Sequence, residues 1–223
     1  MLLVRDSMTR EVVTVALGAT AAEALALCRE RRIRHLPVVE GGRLVGLISD
    51  RDLRSATPAL GDPDRTAALE GTRVGDEMAR EVVTARPDDP VEHAAMVMYE
   101  KRIGCLPVVD GDELVGILTA SDVMKAFVRL VGAHEPGSRV EVALSDHPGV
   151  LAGVVDVLRE EGVNLVSVLA SPEAERGSDG AARRVVVLRL GTVNTLGAAG
   201  RLRGAGYGVL WPPAPDEGSG QAS

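Results

Sequence analysis

The chain spells one stretch twice. Residues 36–52 read LPVVEGGRLVGLISDRD and residues 106–122 read LPVVDGDELVGILTASD. The copies lie seventy residues apart without a gap, so Leu36 pairs with Leu106, Gly46 with Gly116 and Asp52 with Asp122. The register holds upstream, where Val4, Asp6, Met8 and Val12-Val13-Thr14 pair with Val74, Asp76, Met78 and Val82-Val83-Thr84. About twenty of the fifty aligned pairs are identical. A duplicated unit that cannot cover its own apolar face must stack on its copy, which makes the repeat the strongest constraint on the fold.

Each repeat opens with a short helical or turn segment, Val4 to Met8 in the first copy. The β-branched run Val12 to Val15 predicts a strand. A helix follows, started by the capping-box pair Thr20 and Glu23. In the second copy Asp89 is expected to cap this helix, with Pro90 in its first position and Glu92 three residues after the cap. Strands over 36–39 and 44–48, or 106–109 and 114–118, flank a Gly-containing turn and make a hairpin. A last helix begins at Asp50 or Ala120. Each unit is thus β-α-β-β-α, and the two should pack with pseudo-twofold symmetry.

The expected boundaries are 1–56 for the first repeat, 57–71 for a linker and 72–131 for the second repeat. Pro58, Gly61 and Pro63 make the first part of that linker a loop, and 64–69 could add a helical turn. Residues 132–137, with the break His134-Glu135-Pro136-Gly137, lead to a second domain over 138–211. There the patterns predict strands at 139–144, 163–170, 184–190 and 207–211, helices after Gly149 and over 194–203, and a polar loop at 172–182. The order β-α-β-β-α-β is that of a ferredoxin-like split unit. Residues 212–223 are rich in Pro, Gly and Ser and are expected to be disordered. The fold class is mixed α/β (α+β).

Composition excludes several functions. A net charge of −7 argues against nonspecific nucleic-acid binding, and 2% aromatic residues leave no base-stacking platform. No apolar run approaches the roughly 20 residues of a membrane span, and no signal peptide is visible, so a cytoplasmic protein is expected. Cys28 and Cys105 are too few for a disulfide framework and read as buried thiols. His93 and His147 read as surface residues. No metal-ligand spacing, P-loop lysine or nucleophile elbow is present, so no catalytic residue, metal or cofactor is expected.

Ser49-x-x-Asp52 and Thr119-x-x-Asp122 carry the candidate chemistry. A hydroxyl followed three residues later by a carboxylate at a helix start is a capping pattern. The same geometry suits a nucleotide: a helix N-terminus attracts phosphate, and a carboxylate accepts from the two hydroxyls of a ribose. Both readings stay open on the residues alone. Arg29, Arg31 and Arg32 complement a helix C-terminus.

With its Leu-Pro-Val-Val strands and the Gly46-x-x-Ser49-x-x-Asp52 and Gly116-x-x-Thr119-x-x-Asp122 motifs, the repeat resembles the CBS domain, and the tandem resembles a CBS pair, or Bateman module. Asp146-His147-Pro148-Gly149-Val150-Leu151 and Gly162-Val163-Asn164-Leu165 resemble an ACT domain. The order CBS, CBS, ACT resembles the acetoin-utilisation B protein family. The CBS resemblance implies adenosine nucleotides, AMP, ADP or ATP, at two sites that each draw on both repeats. One would combine Val12, Arg34, His35 and Pro37 with Thr119 and Asp122. The other would combine Ser49, Arg51 and Asp52 with Val82, Gly104, Cys105 and Pro107. Arg34 and His35 should make the Asp122 site the one for the more highly phosphorylated ligand. The ACT resemblance implies dimerisation or an amino-acid site at Asp146, Gly149 and Asn164, against a reading in which Asp146 caps a helix and Asn164 satisfies a strand end. The chain is expected to be a non-catalytic regulatory homodimer. The rivals are an interaction module acting on a partner enzyme without ligand, and an enzyme of unrecognised chemistry.

Overall fold

The computed structural model describes residues 2–58, 61–133, 137–176 and 181–214. Its chain divides into two compact units, Met1–Ala126 and Phe127–Ser223. Among the described residues no helix is long and apolar enough to cross a membrane.

The first repeat comprises α1 (Val4–Ser7), β1 (Val15–Ala16), α2 (Ala21–Arg31), β2 (His35–Glu40), β3 (Arg43–Ser49) and α3 (Asp50–Ser55). After α4 (Arg65–Gly71) the second comprises α5 (Val74–Glu77), α6 (Val91–Lys101), β4 (Cys105–Asp110), β5 (Glu113–Thr119) and α7 (Ala120–Leu130). The sheet order is β1-β2-β3-β5-β4. β3 and β5 meet at one register pair, Arg43 opposite Glu113, which is the same position in the two repeats.

Two local expectations shift. The strand expected over 12–15 is only Val15–Ala16, because pairing with β2 begins at Val15 opposite Val38. A β-branched run favours extended backbone but does not supply a partner strand. In the second copy Pro90, not Asp89, is the N-cap of α6, and it makes no side-chain cap bond. The Asp89 carboxylate folds back to accept the Arg86 N–H at 2.8 Å. Thr20 and Glu23 do form their capping box, with bonds of 2.8 and 3.2 Å.

The opening segments change places. Val4 N–H donates to Asp89 O and Val91 N–H to Leu2 O, at 2.9 and 3.0 Å, so α1 is bound to the second repeat. Thr9 and Ile117 exchange two bonds of 2.9 Å. In the mirror arrangement Val74 N–H donates to Ala19 O at 2.9 Å, and Ala79 exchanges bonds of 2.9 and 3.0 Å with Leu47. Each core follows suit. Val74 and Met78 join Val15, Cys28, Leu36, Ile48 and Leu53, while Val4 and Met8 join Met98, Leu106, Val108 and Leu118.

This exchange explains the motif glycines. A Cβ on Gly46 would lie 2.2 Å from Met78 Sδ, and one on Gly116 would lie 2.4 Å from Met8 Sδ. The Gly that begins each Gly-x-x-Ser/Thr motif is therefore the slot into which the other repeat's methionine fits.

The second unit contains β6 (Ser138–Ser145), α8 (Val150–Glu160), β7 (Leu165–Ala170), β8 (Glu175–Arg176), β9 (Ala182–Leu190), α9 (Thr195–Gly204) and β10 (Gly208–Trp211). Its sheet runs β10-β6-β9-β7, and β8 also pairs with β9. The alternating Val140, Val142 and Leu144 of β6 and Val186, Leu188 and Leu190 of β9 meet Val154 and Leu158 of α8 and Leu202 of α9. The loop expected at 172–182 holds β8, which is too short and polar to show alternation. Gly149, at φ 89°, is the N-cap of α8 without a side-chain cap bond, so Asp146 does not cap that helix. Residues 134–136 of the expected break, and the expected disordered tail from 215 on, lie outside the described residues.

Candidate functional site

Each repeat's hairpin ends in a corner built from a hydroxyl and a carboxylate. Asp52 Oδ2 accepts the Ser49 N–H at 2.9 Å and the Ser49 hydroxyl at 2.6 Å, and Ser49 Oγ accepts the Asp52 N–H at 3.2 Å. In the second copy Asp122 Oδ2 accepts from Thr119 N–H at 2.9 Å and Oγ1–H at 2.6 Å, and Asp122 N–H donates to Thr119 Oγ1 at 3.3 Å. The capping reading is thus real, and it uses Oδ2 alone. Oδ1 of each aspartate makes no hydrogen bond with a described residue. The N–H groups of Asp50 and Ala120 are committed too, to Arg34 O and Gly104 O at 2.9 and 3.0 Å. Few N–H donors remain at either helix start to receive a phosphate. The free carboxylate oxygens keep their capacity to accept from a diol. Asp122 is half-buried and Asp52 exposed.

Strand register decides which expected neighbours come together. His35 lies opposite Ser49, and Cys105 opposite Thr119, so each corner stands beside the strand start of its own repeat. The contact across the repeats is the His35 imidazole, whose Cε1 and Nε2 would lie 3.0 and 3.1 Å from a Cβ on Gly104. His35, expected beside Asp122, thus stands with Ser49 while touching the residue that holds the start of α7. Arg34 and Arg51 are exposed, Val12 is half-buried, and Pro37, Cys105 and Pro107 are buried. Burial pushes the Cys105 thiol up to about 12, so it is protonated and inert near neutrality.

His35 is held below the ordinary histidine value, first by burial and then by the Arg34 charge, while Asp50 and Asp52 oppose. The unfolded chain therefore takes up this proton more readily than the folded protein. Stability from this group is complete above the unfolded value of about 6.5 and is lost as pH falls through the folded value. Melting temperatures of the wild type should fall with acidification below pH 6.5, and His35→Gln should flatten that slope. Equal slopes in both proteins would remove His35 as the cause.

Val82 is set apart from the corners. It lines a cavity of about 310 Å³ at the start of β3, together with Arg43, Leu44, Val45, Arg80, Thr84, Val109, Gly111 and Asp112. None of the other expected site residues lines it. No motif pointed to Arg43 or Arg80, because Arg80 reaches β3 only through the exchange of opening segments, which pairs its neighbour Ala79 with Leu47.

In the second unit the three expected residues do not form one site. Asp146 is paired with Arg184, whose Nε and NH2 donate at 2.7 and 3.3 Å, and this holds its carboxyl below the usual range. Asn164 accepts the Gly191 N–H through its backbone oxygen at 2.9 Å, beyond the far end of β9. Ser145 lies opposite Arg183 and Leu165 opposite Leu190, so Asp146 and Asn164 are separated by most of β9, roughly 20 Å. A Cβ on Gly149 would meet nothing within 4 Å.

Comparison with known proteins places the duplication. The model of the CBS domain matches residues 4–58 and 74–129. The CBS domain-containing protein YhcV of Bacillus subtilis is 36% identical over 120 residues, which is 54% of this chain and 81% of that protein. Among solved structures, a Vibrio cholerae protein assigned to acetoin utilization (AcuB) is 34% identical with a TM-score of 0.53, covering 62% of this chain and 98% of the other. A CBS domain pair in complex with 5′-methylthioadenosine and S-adenosyl-L-methionine is 31% identical with a TM-score of 0.50, covering 60% and 99%. CBSX2 in complex with AMP is 29% identical with a TM-score of 0.51, covering 58% and 99%.

Proposed function

Since the chain belongs to the CBS-domain family, we propose that it is a non-catalytic regulatory protein that senses an adenosine compound through its CBS pair. The observation that carries this reading is the duplicated corner. Asp52 and Asp122 are each held by one carboxylate oxygen and present the other without a partner among the described residues. A ribose diol supplies the two donors that such an oxygen lacks. The similar CBS proteins solved with AMP, 5′-methylthioadenosine and S-adenosyl-L-methionine support an adenosine ligand.

One site uses Thr119 and Asp122 with Val12, Arg34, His35 and Pro37. The other uses Ser49, Arg51 and Asp52 with Gly104, Cys105 and Pro107, without Val82, which lines the cavity at the start of β3. His35 is uncharged near neutrality, so each set keeps one fixed cation, Arg34 or Arg51. Ligands with one phosphate or none therefore suit both sites. The second unit serves as an ACT-like, ferredoxin-like module for homodimerisation in the cytoplasm. An amino acid would need a second copy there, because Asp146 and Asn164 stand at opposite ends of β9. The domain order supports a role close to that of acetoin-utilisation B proteins, acting on a partner enzyme.

The test is calorimetric titration with AMP, ADP, ATP, 5′-methylthioadenosine and S-adenosylmethionine. Asn at position 52 or 122 keeps an oxygen for the cap but turns the free oxygen into an amino donor. Asp122→Asn and Asp52→Asn should each weaken their site roughly ten- to a hundredfold, the worth of a charged hydrogen bond. Wild-type protein that binds none of the five would end the sensor reading.

A further inference from the structure

The cavity at the start of β3 carries charge that the equivalent positions of the other repeat lack. Arg43 and Arg80 face it with Thr84, and Asp112 is the carboxylate in its lining. Seventy residues away, the corresponding positions hold Glu113, Arg10, Thr14 and Gly42. The lining therefore has an excess of positive charge and the equivalent set of residues is balanced, in a chain of net charge −7. The apolar residues are matched, with Leu44, Val45 and Val82 answered by Leu114, Val115 and Val12. The repeats have kept the same apolar walls and changed the charge.

The two arginines are ready to receive an oxyanion. Arg80 NH2 donates to Gly75 O at 2.9 Å, which fixes the guanidinium and leaves its other donors for the cavity. Arg43 NH2 stands 3.6 Å from Asp112, with side chains 74% and 82% exposed, a pairing weak enough for a ligand to replace. The Thr84 hydroxyl makes no hydrogen bond with a described residue. Guanidinium groups bind carboxylate and phosphate through paired donors.

We propose that this cavity is a binding site for a small organic anion, a carboxylate or phosphate ester with a short apolar body, and that it is separate from the adenosine sites. Separation follows from β3, whose seven residues run roughly 20 Å from Arg43 to Ser49. A ligand that fits about 310 Å³ does not reach from one end to the other.

The experiment follows arginine Nε–Hε resonances by NMR during titration with inorganic phosphate or butyrate at constant ionic strength. Arg43 and Arg80 should shift saturably while Arg10 stays still, and the stronger probe identifies the ligand as a phosphate or a carboxylate. Arg43→Gln and Arg80→Gln should each weaken the titration at least tenfold. Asp52→Asn and Asp122→Asn should leave it unchanged, and AMP should bind Arg43→Gln as it binds wild type. Parallel shifts at Arg10 and Arg80, or no shift with either probe, would overturn the site. Loss of AMP binding in Arg43→Gln would make the cavity part of a nucleotide site and end the claim of separation.

Discussion

Val4→Asp should expose the thiol of Cys105 in the second repeat while that of Cys28 in the first stays protected, and Val74→Asp should do the reverse. Val4 and Val74 are each fully buried, and each belongs to the core of the repeat that does not contain it. An unpaired carboxylate there costs about 4 kcal/mol or more, so the opening segment is expelled and the core beneath it loosens. The two cysteines make the outcome readable. Cys28 lies in the first core and Cys105 begins β4, 4% and 1% exposed, and burial raises both thiols above their ordinary value. They react with a thiol reagent only when their surroundings open. Labelling rates, resolved by mass spectrometry under native conditions, give the result. A Val4→Asp protein that exposes Cys28 first would refute the exchange of segments.

Gly46→Ala should destabilise the protein more than Gly116→Ala does. Both substitutions drive a methyl group into a methionine thioether, at 2.2 and 2.4 Å, and overpacking of this kind costs about 1–3 kcal/mol. The difference lies in what can yield. Around Gly116 the three nearest atoms all belong to the Met8 side chain, which can swing away. Around Gly46 the third is the backbone oxygen of Ala79 at 3.1 Å, held in place by the bonds of Ala79 to Leu47. Met8→Ala should therefore remove most of the interaction energy in the Gly116→Ala protein, while Met78→Ala recovers only part of the loss in Gly46→Ala. Urea unfolding of the four single and two double variants measures this directly. Equal costs with equal recovery would show that the backbone contact does not matter.

The hairpins, the capping box of α2 and the hydroxyl–carboxylate corners were legible in the residues because each is a local pattern. Thr20 with Glu23, and Ser49 with Asp52, interact over three positions, and their types alone specify the bond. What the sequence hid depends on distant partners. A four-residue helix such as α1 has no periodicity that says which core receives Val4. The signal that existed was a correlation: Met8 and Gly116 recur as Met78 and Gly46, a large residue and a hole in each repeat. The pairing of Asp146 with Arg184 spans 38 residues and left no local trace. Pro90 misled for a different reason: Asp89 is a good capping residue, but its carboxylate found a nearer donor at Arg86.

The meeting of Arg43 and Glu113 bears on how a duplicated chain avoids the wrong assembly. These residues occupy the same position in the two repeats and face each other where the sheet halves join. A first repeat joined in this way to the first repeat of another molecule would set arginine against arginine. Two second repeats would set glutamate against glutamate. Opposed like charges on neighbouring strands destabilise, whereas unlike charges contribute about 0.2–1 kcal/mol. The halves have become complementary rather than identical at their common axis. Each half thus prefers the other half over a copy of itself, and the covalent link makes that partner the one in its own chain.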